Sequence, residues 1–197
     1  MSGYGSLPPK ATRSGIVAVE VMRGHRKDYA VDAVAEARES APANVLMLGM
    51  GNVLLGDDGV GIRLVERLRT DPAFGAANFV DGGTLSFSLL GLIETTDAML
   101  VTDAADLGEA PGTVRLFENE AMDRFLASSR RRSVHEVGLC DLLDMARLLD
   151  CIPRRRALLC VQPCTIDWTE ALSPPVARAF DAAAARAGAV LRNWCVP

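Results

Sequence analysis

Three short apolar runs constrain this chain more than any other feature. Val45 to Leu48, Ala98 to Thr102 and Ala157 to Val161 have strand length and almost no polar alternation. A strand that is apolar on both faces must be covered on both, as in a parallel sheet held between helical layers. The stretches between the runs have helical character. From about Asp58, residues Gly61, Leu64, Val65 and Leu68 share one face, with Arg63, Glu66, Arg67 and Arg69 outside it. Ser86 to Ile93 and Ala121 to Leu126 predict short helices. Ser133-Val134-His135-Glu136 fits a capping box, so a helix should begin at Val134 and run to about Leu149. The last helix should start at Ser173-Pro174, with Ser as cap and Pro in the first turn. Asn78 to Asp81 predicts a further strand. Thr113 to Phe117, after the Pro111-Gly112 turn, alternates as an edge strand does. The expected fold is α/β, with a mainly parallel sheet between helices.

Residues 1–43 have only a weak apolar rhythm and are expected to be a poorly ordered extension; residues 44–197 form a single domain. With 197 residues, 49% of them hydrophobic, one core can bury about 70% of the unfolded surface without a disulfide or metal staple. The net charge of −4 gives no reason to expect nucleic acid or an anionic membrane as partner. Five cysteines, Cys140, Cys151, Cys160, Cys164 and Cys195, are odd in number and fit no disulfide framework. They are read as reduced, mostly buried thiols. Cys160 and Cys164 have the spacing of half a metal site, but no second pair completes it. No secretory signal and no apolar run of about 20 residues is apparent. A cytoplasmic monomer with no membrane association is expected.

Ligands of parallel sheets bind beyond the carboxyl ends of the strands. The first strand runs into Gly49-Met50-Gly51-Asn52 and then Gly56-Asp57-Asp58-Gly59. The second ends in Asp81-Gly82-Gly83-Thr84, the third at Asp103. His135, the one histidine outside the extension, joins them in the first turn of its helix. There the helix dipole favours neutral imidazole, the metal-binding form, while nearby carboxylates oppose that effect. Carboxylate oxygens and an imidazole on one edge suit a divalent transition metal. Each residue also has a structural explanation. Asp58 or Asp57 could cap the next helix, Asp103 could close an Asx-turn, and Gly82-Gly83 could serve only a tight turn.

Other chemistries lack their residues. His135-Glu136 has no second histidine for H-E-x-x-H, and neither G-x-S-x-G nor a P-loop occurs. A dinucleotide site is the main structural rival, because Gly49-Met50-Gly51 follows a strand and Asp81 ends the next. Its third glycine is replaced by Leu54, and Asp57-Asp58 at the helix entrance would repel a pyrophosphate. A non-catalytic metal or protein-binding module would use the same edge residues without cleavage.

Taken in order, these motifs resemble the nickel–iron hydrogenase maturation peptidases over about Asn44 to Trp194. The segments are Leu48 to Asn52 with Gly56 to Gly61, Asp81 to Thr84, Val101 to Ala104 with Pro111 to Thr113, Ser133 to Leu139, and Val161 to Pro163. The resemblance implies a three-layer sandwich around a twisted five-stranded sheet. It also implies an aspartic-type endopeptidase that removes the C-terminal peptide of the hydrogenase large-subunit precursor once nickel is in place. Asp58, Asp103 and His135 match the family's metal-contacting positions; Asp58 is one methylene shorter than the Glu of some members. The nickel belongs to the substrate, so no permanently bound cofactor is expected. Asp81, Gly82, Gly83 and Thr84 are expected to contact substrate, and Gln162-Pro163 with Ile166-Asp167-Trp168 resembles the uptake-hydrogenase branch. Arg130 to Arg132 and Arg154 to Arg156 are read as solvated faces, the first run being the better docking candidate.

Overall fold

The computed structural model describes residues 44–83, 89–129 and 134–195, with the backbone alone at 129 and 134–137. The expected extension, 1–43, lies outside the described residues, as do Thr84 and Arg130 to Ser133.

Five strands form one sheet in the order β2-β1-β3-β5-β4. They are β1 (Val45–Met50), β2 (Ala77–Gly83), β3 (Ala98–Ala104), β4 (Val114–Glu118) and β5 (Arg155–Val161). All neighbours are parallel except β4, which runs antiparallel to β5. Every residue of β1 and β3 is buried, whereas β2 and β4, at the two edges, are partly exposed. The continuous apolar runs are thus the central strands, and the alternating run is an edge strand as expected.

Because successive side chains leave a strand on opposite faces, the two layers divide the strands residue by residue. Val45, Met47, Leu100 and Leu159 pack on α1 (Val60–Arg69) and α5 (Pro174–Cys195). Leu46, Leu48, Met99, Val101 and Leu158 face α3 (Glu120–Ser129) and α4 (Val134–Leu148). The short α2 (Leu90–Ile93) precedes β3 and begins later than the Ser86 expected, residues 84–88 being outside those described. Burying each of the central Leu, Val and Met side chains stabilises the sandwich by about 1.5–3 kcal/mol before entropy is counted.

The last helix, α5, starts at Pro174 directly after Ser173, as expected, and Ser173 has a further partner. The Ser173 hydroxyl donates to Asp57 Oδ2 at 2.7 Å. Pro174 and Pro175 follow it in the first turn, where a missing N–H costs the helix nothing.

Candidate active site at the carboxyl edge of the sheet

β1 ends at Met50 and hands the chain to Gly51, whose φ of +115° only glycine adopts readily. A Cβ at Gly51 would lie 1.9 Å from the Asp58 carbonyl oxygen, so the chain folds back on itself here in a way no larger residue permits. A 3-10 turn, Gly56–Gly59, then leads into α1 and holds Asp57 and Asp58, both buried. The turn rests on β3. Just beyond it, Gly61 lies so close to the sheet that a Cβ there would sit 2.2 Å from the Thr102 carbonyl oxygen. Thr102 Oγ1 in turn donates to the Gly61 carbonyl at 2.9 Å. This contact fixes the start of α1 over the end of β3, one residue before Asp103.

The two adjacent acids do different work. Asp57 is fully buried and accepts four hydrogen bonds. Cys164 N (2.8 Å), Thr165 N (3.2 Å) and Ser173 Oγ (2.7 Å) donate to Oδ2, and Ser173 N (2.7 Å) donates to Oδ1. Burial alone would push its pKa up. The Ser173 hydroxyl and the backbone N–H groups of Ser173, Cys164 and Thr165 outweigh that and hold the carboxyl below its ordinary value. Asp57 is therefore a clamp between the site turn and the segment after β5. Asp58, 5% exposed, accepts the Asn52 N–H on Oδ2 at 2.8 Å. That bond occupies a backbone donor that a dinucleotide phosphate would need, which counts against the nucleotide reading.

Asp103, 2% exposed, stands near the carboxyl end of β3, and β3 is the hydrogen-bonded neighbour of β1. Thr102 points toward α1, so by alternation Asp103 belongs to the other face, where α4 packs. His135 falls in the first turn of α4, and its side chain lies outside the described residues. The course of α4 still fixes its end. Its last residues lead through Cys151 to Arg155, which is level with Ala98 at the amino ends of β5 and β3. A 15-residue helix rises about 22 Å, roughly the length of a seven-residue strand at about 3.3 Å per residue. The first turn of α4 therefore lies toward the carboxyl edge, with Asp58 and Asp103.

Other expected residues fall as follows. Asp81 is exposed and its Oδ1 accepts the Gly83 N–H at 2.8 Å, an Asx-type turn; β2 itself extends through Gly83. Gln162 Oε1 accepts from Leu107 N (2.7 Å) and Glu109 N (3.3 Å), tying down the loop after β3. Cys140 and Cys160 are buried as expected, but Cys164 is exposed and Cys151 and Cys195 are intermediate; none of the five is in a disulfide. Arg156 is not simply solvated: it forms a salt bridge to Asp123 at 2.5 Å. Among the described residues, no group of three or more His, Cys, Asp or Glu is arranged to hold a metal.

A mainly parallel sheet with buried carboxylates near its carboxyl edge defines an α/β domain whose candidate site lies at that edge. The family profile of the HycI hydrogenase maturation proteases matches residues 62–189. The hydrogenase expression/formation protein HupD of Rhodobacter capsulatus is 37% identical over 155 residues, 78% of this chain and 73% of that protein. The hydrogenase 2 maturation protease of Escherichia coli K12 is 31% identical over 153 residues, 76% of this chain and 91% of that protein. The solved structure of the hydrogenase maturating endopeptidase HybD from E. coli matches with a TM-score of 0.70 and 30% identity, covering 76% of this chain and 93% of that one. The chain belongs to the hydrogenase maturation protease family, and it is a peptidase rather than a non-catalytic binding module.

Proposed function

We propose that this peptidase removes the C-terminal peptide of a hydrogenase large-subunit precursor after nickel has been inserted, and that Asp58, Asp103 and His135 read the substrate's nickel. The supporting observation is that Asp58, buried in the turn after β1, and Asp103, buried near the end of the neighbouring β3, lie at the sheet edge toward which the amino-terminal end of α4 runs. Two carboxylates and one imidazole suit a divalent transition metal. A substrate-borne ion held there can polarise the scissile carbonyl or activate water. The enzyme needs no resident metal on this reading, because the ion arrives with the substrate and leaves with it. Asp81, Gly82 and Gly83 end β2 at the same edge, and in this reading they and Thr84 contact the substrate backbone. The protein acts as a monomer in the cytoplasm, which suits its five cysteines without a disulfide. Among the described residues no helix is long and apolar enough to cross a membrane. The Gln162 to Trp168 segment favours a precursor of the uptake type.

The test is incubation with nickel-loaded and nickel-free precursor, followed by mass measurement. Release of the C-terminal peptide from the loaded form alone is expected. Equal cleavage of both forms would rule out nickel reading. His135→Ala should abolish release and leave the circular dichroism spectrum unchanged.

A further inference from the structure

The segment after β5 carries two exposed apolar side chains that the site as described does not use. Trp168 is 82% exposed and Ile166 53% exposed. Leu54, 46% exposed, lies on the loop that leads to Asp58. A parallel bridge joins Leu55 to Thr169, through Gly56 N to Thr169 O (2.6 Å) and Thr169 N to Leu54 O (3.0 Å). Parallel pairing places Leu54 beside Trp168 on the same side of the bridge. Leu54 and Trp168 thus stand side by side next to the site turn, and Ile166 lies two residues before Trp168 on the same exposed segment.

The platform beneath them is firmly tied. Asp57 holds Cys164, Thr165 and Ser173. Thr165 Oγ1 donates to Asp167 Oδ2 at 2.6 Å, and Arg63 donates to the Glu170 carbonyl. An indole presented on a fixed loop loses little conformational freedom when it is covered, which is the usual property of a binding hot spot. Its position selects the occupant. Leu54 is four residues from Asp58, at most about 14 Å along the chain, so a folded protein whose backbone reaches Asp58 and buries the usual ~800 Å² per partner is large enough to cover the Leu54–Trp168 pair as well.

We infer that Leu54, Ile166 and Trp168 form an apolar docking patch for the folded body of the protein substrate, next to the site that receives its C-terminal segment. This rests on the reading above that the substrate is a large-subunit precursor. The patch binds and positions the precursor; it takes no part in the chemistry.

The experiment compares wild type, Trp168→Ala, Leu54→Ala and Leu148→Ala on a nickel-loaded large-subunit precursor. Leu148 is a matched control, 81% exposed at the far end of α4. Trp168→Ala should raise KM at least about tenfold, with kcat at saturating precursor retained. Leu54→Ala should shift KM in the same direction, and Leu148→Ala should match wild type. Wild-type cleavage with unchanged KM in Trp168→Ala overturns the patch and leaves the peptidase reading standing. Failure of wild type to cleave any such precursor overturns that reading, and the patch with it. A wild-type dimer in light scattering that Trp168→Ala converts to monomer reassigns the patch to self-association and also overturns the inference.

Discussion

Replacing Asp57 by Asn tests whether the clamp, rather than the neighbouring catalytic candidate, holds the site turn in place. The carboxylate accepts from three donors on Oδ2 and one on Oδ1, all in a buried setting. An Asn amide keeps one acceptor oxygen and turns two N–H donors toward whichever N–H or O–H groups the other oxygen had served. If its oxygen takes the three-donor position, the Ser173 N–H is left facing another donor, and three bonds lose their charge assistance. Hydrogen bonds to charged groups are worth about 1.5–3 kcal/mol, and an unsatisfied buried donor costs about 1–3 kcal/mol. The sum is reduced by relaxation and by water, and about 3 kcal/mol is the expected loss. For a chain of this length that is a Tm drop of about 6–12 °C. The pH dependence adds a second check. A carboxylate held below its ordinary value contributes stability that is fully present above its unfolded pKa, about 4. That contribution is lost as pH falls through the folded value. Urea denaturation between pH 3 and pH 7 should therefore show a shallower acid limb in Asp57→Asn than in wild type. A loss under about 0.5 kcal/mol with an unchanged acid limb would falsify the clamp.

Three further outcomes follow from the same geometry. Gly61→Ala places a methyl 2.2 Å from the Thr102 carbonyl oxygen; overpacking of this kind costs about 1–3 kcal/mol, and precursor cleavage should fall with it in a paired urea and activity measurement. Asp123 is raised by burial but lowered further by Arg156 and Arg147, so its carboxyl lies below the ordinary value; Asp123→Asn should lose stability at pH 7 and converge with wild type in acid, as followed by urea titration at several pH values. Leu64→Ala, at a fully buried α1 position, should cost about 2–5 kcal/mol in the same denaturation assay without removing any site residue.

The central strands were legible in the sequence because a strand covered on both faces leaves a continuous apolar run. Val45 to Leu48 and Ala98 to Thr102 needed only extension by two residues, to Met50 and Ala104. Edge position was equally legible at Thr113 to Phe117, where one face is open. The division of labour between Asp57 and Asp58 was not. Both occupy one turn with the same charge, and what separates them is a set of partners more than a hundred residues away, which no local spacing encodes. Ser173 was legible as the residue before the last helix, but its bond to Asp57 was not, because only the fold brings that carboxylate within reach of its hydroxyl. The exposed Trp168 gave no periodic signal, since the segment carrying it is neither helix nor strand.

The Asp57 bonds span 107 to 116 residues of sequence. Joining points so far apart is entropically costly before the strands between them have paired. The turn that carries Asp58 therefore gains its fastening only when the last third of the chain has been made and has folded back. A growing polypeptide on the ribosome has the acid but not the brace, so with Asp58 in the proposed role, proteolytic competence is among the last properties this molecule acquires.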